Sequence, residues 1–274
     1  DFYISKLEVT NEQFLRFLND AQCNGKNPRG SNMFFDKKGN VWFNPEMKRN
    51  RDEMFYISDS RLTYDSSKIK GKRYDHQRSK NGKPLFANYP ATSVSWYGAV
   101  KYCNWLTLEA HSTIAQQCYT EGTNAFDWAP VTATNWSNGF FGNAQRKMWL
   151  KKEGFRLPMT TFTSAKSIST NAYDEFYKAS VQQAITNRLF ELSDTAVEWM
   201  NDPGGESDSS TRSVCGGPRE HKAEAAPVTY AFFPYSTVSF VGFRPVTTYL
   251  PAQTFLIHIL YDFYMKPTVT VPGK

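Results

Sequence analysis

The strongest constraint on this chain lies at residues 96–106. Trp96, Ala99, Val100, Cys103 and Leu106 recur at i, i+3, i+4, i+7 and i+10, the spacing of one helical face. Ser95 stands before them as an N-cap. A second helix is signalled at residues 11–20. Thr10-Asn11-Glu12-Gln13 reads as a capping box, and Phe14, Phe17 and Leu18 follow at helical spacing. Short apolar runs and long polar stretches surround these two segments. Two helices among short strands and loops predict an irregular α+β domain with a small antiparallel sheet.

Composition narrows the class. The 274 residues are 40% hydrophobic and include 7 Trp, 15 Tyr and 21 Phe, far too many for a disordered chain. Ordinary Gly and Pro content and the lack of heptads exclude collagen-like and coiled-coil chains. No apolar stretch nears the ~18–20 residues of a membrane span. We read one domain over residues 1–246, a polar insertion at 23–88 and an apolar C-terminal extension at 247–274. The extension reads as an extended strand docked on its own domain or on a partner, because nine large apolar side chains within it need cover. The chain opens abruptly in an apparent strand, as a processed or truncated product would.

The net charge of +6 is local, since residues 37–83 hold 13 Lys/Arg against 6 Asp/Glu. A solvated, peripheral insertion explains this; an anionic polymer bound through residues 68–83 is the alternative. Nucleic acid has no helix-turn-helix, zinc-finger or RNA-binding signature to support it.

Further strands are expected at 2–5, 41–43, 54–57, 228–233 and 239–246. Helices are expected at 145–152 and 175–184, a tight turn at 155–158, and a loop from Asn201 onward.

Chemical signatures are scarce. There is no nucleophile elbow, zinc helix, phosphate loop or EF-hand loop, and His76, His111, His221 and His258 are scattered. Cys23, Cys103, Cys118 and Cys215 form no CxxC, and Cys103 lies on the apolar helix face, as a core residue would. Oxygen ligands gather at residues 191–198, which makes Glu191, Thr195 and Glu198 candidates for calcium.

Six blocks then occur in a familiar order. Glu8-Val9-Thr10-Asn11-Glu12-Gln13-Phe14 is the first. Tyr89-Pro90 with Val94-Ser95-Trp96 and Tyr102-Cys103-Asn104-Trp105-Leu106 is the second. Phe155-Arg156-Leu157-Pro158, Val197-Glu198-Trp199, Cys215-Gly216-Gly217 and Gly242-Phe243-Arg244 complete the series. Together they resemble the formylglycine-generating-enzyme family, also called sulfatase-modifying factor domains. The resemblance implies an irregular C-type-lectin-like fold with two main helices, a small sheet and long loops. It implies structural roles for Arg156, Glu198, Trp199, Gly216, Gly217 and Arg244, with the charged ones tying loops together as buried pairs.

The resemblance also implies a test for activity. Enzymes of this family oxidise a substrate cysteine with two cysteines of their own that bind copper, both shortly after the Gly-Gly block. Residues 216–226 hold no cysteine here, and Cys215 precedes the glycines. Copper is therefore not expected. The calcium loop also departs from the family, with Asp194-Thr195 for Gly-Asn and Glu191 for Asp.

The favoured reading is a non-catalytic binding or structural module in an extracytoplasmic or surface assembly, at the periplasm, envelope or cell surface. Aromatic loops at 126–141 and 207–235 supply the candidate binding surface: Trp128, Trp136, Tyr230, Phe232 and Tyr235. Two alternatives stand beside it: an enzyme of the same family with a non-standard site, and a ligand-binding variable protein of a diversity-generating retroelement.

Overall fold

The computed structural model describes residues 2–249, except 6, 26–27, 45, 47–50, 112, 132–142, 160–174, 176–195, 205–209 and 217–228. Three α-helices occur among these: α1 (Asn11–Cys23), α2 (Trp96–His111) and α3 (Asn143–Trp149). The strands are short. In order they are β1 (Tyr3–Ile4), β2 (Phe34–Phe35), β3 (Val41–Trp42), β4 (Glu53–Phe55), β5 (Leu62–Tyr64), β6 (Tyr74–His76), β7 (Tyr119–Thr120), β8 (Ala129–Pro130), β9 (Phe155–Arg156), β10 (Val197–Pro203), β11 (Arg212–Gly216), β12 (Thr229–Phe232), β13 (Val241–Gly242) and β14 (Val246–Thr247).

The capping box starts α1. The Gln13 amide donates to Thr10 Oγ1 at 3.3 Å, and the Thr10 amide donates to Gln13 Oε1 at 2.9 Å. Ser95 caps α2 through the Gly98 amide at 3.3 Å. The two helices meet through rings: Phe17 lies 5.5 Å from both Tyr102 and Trp105, and Phe14 lies 6.1 Å from Tyr102.

Helix α2 differs from a one-sided amphipathic helix. Every residue from Trp96 to Leu108 is buried, including Lys101, Asn104 and Thr107. It runs through the core, so its polar positions need internal partners. Lys101 Nζ donates to Glu121 Oε2 at 2.6 Å and to the Pro28 carbonyl at 2.9 Å. Thr107 Oγ1 accepts from the Phe155 amide at 2.8 Å.

A four-stranded sheet, ordered β12-β11-β10-β13, covers one side of this core. It is mixed rather than wholly antiparallel, because β13 pairs with β10 in parallel, Val197 opposite Val241. The antiparallel sheet β1-β14-β9 joins the two ends of the domain, with Ile4 opposite Val246 and Val246 opposite Arg156. Residues 239–246, expected as one strand, are thus divided between the two sheets. Residues 155–158, expected as a turn, open with the edge strand β9.

One further expectation needs correction. The Asn201-Asp202-Pro203 stretch reads as loop but continues β10, fully buried. Tertiary bonds outweigh its turn composition: Tyr119 Oη donates to Asn201 Oδ1 at 3.0 Å, and the Trp96 indole donates to the Met200 carbonyl at 3.1 Å. The segment 23–88 holds fewer buried apolar side chains per residue than 89–106, as its polar composition implies. Its described lysines face solvent, and it still supplies Val41, Phe43, Met54, Phe55, Leu62 and Tyr74 to the main core. Most of residues 175–184 and all of 250–274 lie outside the described residues. No helix among the described residues is long and apolar enough to cross a membrane.

Candidate binding face

Buried ion pairs hold the frame. Arg156 grips Glu175 at two points, Nη1 to Oε2 at 2.5 Å and Nη2 to Oε1 at 2.6 Å, with Trp149 stacked 5.1 Å from its guanidinium. Arg244 grips Glu198 in the same way, Nε to Oε2 and Nη2 to Oε1, both 2.6 Å. Burial pushes the Glu198 carboxyl up, and the Arg244 charge opposes it. Trp199 is fully buried and donates its indole N–H to the Val94 carbonyl at 2.9 Å. Gly216 sits at φ +94°, a left-handed conformation that glycine adopts without Cβ strain. Gly217 lies outside the described residues.

On this frame, β12 and the loop after it present aromatic side chains. Tyr230 and Phe232 share one face of β12, two residues apart. Phe232 is half-buried, edge-on to Trp199 at 6.3 Å and to Phe240 at 6.2 Å. Phe233 and Tyr235 stack with ring centres 5.2 Å apart and planes at 4°. Tyr230, Phe233 and Phe240 are 50%, 46% and 53% exposed.

The loop is pinned at four places. The Ser236 amide donates to the Phe233 carbonyl at 2.9 Å, and the Ser93 amide to the Val238 carbonyl at 3.1 Å. The Val197 amide donates to the Phe240 carbonyl at 3.1 Å, and Thr237 Oγ1 to Glu53 Oε2 at 3.1 Å. Burial raises the Glu53 carboxyl above its ordinary 4.5, the Thr237 bond opposes this, and the Asp59 charge adds to it. Exposed rings thus stand on a backbone bonded to the rest of the domain.

Of the residues expected on this surface, Tyr230 and Phe232 lie on one face of β12, and Tyr235 stacks on Phe233 in the loop after it. Trp128 does not join them. It is 1% exposed, packed 5.6 Å from Phe43 and 5.7 Å from Tyr97, with its indole bonded to the Gly122 carbonyl at 2.8 Å. An aromatic in a polar loop is here an anchor for that loop. Trp136 lies outside the described residues. Phe233 and Phe240 belong to the face but escaped the sequence reading, although the Phe-Phe pair at 232–233 was a usable signal.

Metal-ligating side chains do not gather among the described residues. Glu191 and Thr195 lie outside them, and Glu198 gives both carboxylate oxygens to Arg244. Cys103 and Cys118 are buried free thiols; burial pushes Cys118 up to about 12 and raises Cys103 as well. Cys215 packs in a separate cluster with Phe2, Ile4, Met200 and Val246. His76 meets Glu12 at 2.5 Å, and His111 bonds the Glu153 carbonyl at 3.0 Å.

In sequence, no curated protein matches the chain. Among solved structures it is similar to that of CarF, at 17% identity and TM-score 0.43, over 92% of this chain and 87% of that one. It is also similar to Treponema denticola variable protein 1, at 17% identity and TM-score 0.37, over 90% and 84%. Residues 1–249 match the model of the sulfatase-modifying factor enzyme 1-like domain, from the first block, with its capping box, to the strand beyond Arg244, and the chain belongs to that family.

Proposed function

We propose that this chain is a non-catalytic binding or structural module on a formylglycine-generating-enzyme-like scaffold, working in an extracytoplasmic or surface assembly. The exposed rings of Tyr230, Phe233 and Phe240, with Tyr235 stacked half-buried under Phe233, carry this reading. Such rigid aromatic groups dominate binding energy at interfaces. Exposed apolar surface of this kind also marks sites of association.

The thiols support the non-catalytic half. A two-thiolate copper site needs two converging sulfurs. Residues 216–226, where the family carries its pair, hold none; Cys215 sits in a different cluster from Cys103 and Cys118, and these two neighbouring thiols are sealed in the main core with no exposure. The apolar segment 250–274 is a second candidate docking element, since its side chains need cover.

Cu(I) titration and incubation with a cysteine-containing peptide test the catalytic half. Neither stoichiometric binding nor peptide oxidation is expected, and either result overturns the reading. Fractionation of native cells, followed by native electrophoresis of the envelope fraction, tests the assembly half. The chain should migrate in a large complex there. A cytoplasmic monomer would overturn that half.

A further inference from the structure

The hairpin β5–β6 and the turn after it play no part in the aromatic face, yet they are built with care. Tyr74 is buried; its amide and carbonyl both bond the Asn19 side chain of α1, at 3.2 and 3.0 Å, and its hydroxyl donates to the Gly39 carbonyl at 2.9 Å. At the hairpin tip the Lys72 amide closes a turn on the Ile69 carbonyl at 3.1 Å. Gly71 there takes φ +85°, close against Cys23 of α1, where a Cβ would collide with the sulfur. The tip is therefore held firmly on the domain.

What this rigid tip offers is one apolar side chain among cations, with the exposed Asp65 carboxylate at its base held by Ser67 and balanced by Lys68. Ile69 is 69% exposed, between Lys68 and Lys70. Asp75 is the single carboxylate in residues 68–83, and it binds Lys68 at 3.5 Å and Arg78 at 2.9 Å. Arg78 also holds the Gly82 carbonyl at 3.0 Å, so one acidic group brings both turns to a common edge. Lys70, Lys72, Lys80 and Lys83 are exposed and have no ion-pair partner among the described residues.

We propose that this edge docks on an anionic lipid surface, with the lysines at the headgroup phosphates and Ile69 inserted at the acyl boundary. The charge is complementary to acidic lipid and acts within a Debye length of it. The isoleucine decides between polyanions. A nucleic acid or acidic polysaccharide would leave it in water, whereas a bilayer interface takes up apolar side chains between cationic ones.

The test is co-sedimentation of the full chain with vesicles of phosphatidylcholine alone, or mixed with phosphatidylglycerol. Binding is expected only to the mixed vesicles and should weaken as salt rises. Lys70→Ala and Lys72→Ala should each weaken it about fivefold. Ile69→Ser should weaken it about tenfold, and its exposed position should leave the melting temperature unchanged. Equal binding to both vesicle types, or binding to neither, overturns the proposal. So does wild-type affinity in Ile69→Ser, which would mark a general polyanion surface.

Discussion

Glu198 and Arg244 are 46 residues apart in sequence and meet in a two-point contact, both bonds 2.6 Å, with neither side chain exposed to solvent. Arg244 also donates Nη1 to the Ser5 carbonyl at 3.0 Å. One guanidinium thus ties together the end of the chain's first strand, the central strand β10 and the closing segment. Removing one partner leaves the other charge buried and alone. Arg244→Met should cost about 3–5 kcal/mol in urea unfolding, whereas replacing both residues with apolar ones should cost less than the single change. A single variant as stable as the parent would show that the pair does not close the domain.

Glu53 predicts a pH effect of the opposite kind from an ordinary ion pair. Its folded pKa is raised above 4.5, chiefly by burial. The sign follows from linkage: its stabilising contribution is full below the unfolded pKa and is lost as pH rises through the folded pKa. Glu53→Gln keeps an oxygen for Thr237 and removes the charge. It should raise the melting temperature at neutral pH and flatten the fall in stability above pH ~4.5. Melting curves at several pH values would check this, and an unchanged slope would contradict it.

Gly98 lies within α2, where alanine is normally the better residue by about 0.8–1.0 kcal/mol. Here the helix presses on β4, and a Cβ at this position would overlap the Met54 carbonyl oxygen and crowd the Val94 side chain. Backbone cannot yield as a flexible side chain can. Gly98→Ala should therefore destabilise, by on the order of 1–3 kcal/mol of overpacking, despite its helix-favouring character. A gain in melting temperature would mean that α2 stands farther from β4.

Both helices were legible because their signals are local. The Thr10–Gln13 box and the Ser95 cap need only neighbouring residues. Helix α2 was nonetheless read as one-sided, since nothing near Lys101 announces Glu121 twenty residues later. The same limit applies to β10. Asn201-Asp202-Pro203 carries turn chemistry, and partners from distant segments, among them Pro158, Tyr119 and Ser213, make it a buried strand end. Trp128 was misplaced for a related reason. Its loop is polar, but Phe43 and Tyr97 arrive from distant segments to enclose it. Tyr230, Phe232 and Tyr235 were readable because they lie close together in the chain, while Phe240 comes beside Phe232 only through the fold.

The aromatic face predicts a separation between binding and folding. Tyr230 and Phe233 are about half exposed, at 50% and 46%, so truncating them removes only part of the buried surface that a core ring would lose. Tyr230→Ala and Phe233→Ala should each change unfolding free energy by about 1 kcal/mol or less, well short of the cost at a core ring. Trp199→Ala, in contrast, empties a fully buried site and removes the bond to the Val94 carbonyl. It should cost about 3–5 kcal/mol. If the face is an interface, the two surface variants lose the native assembly on size-exclusion chromatography while melting like the parent. A face that served only to cover the sheet would behave in reverse. The variants would then melt early, and any loss of assembly would follow the loss of fold.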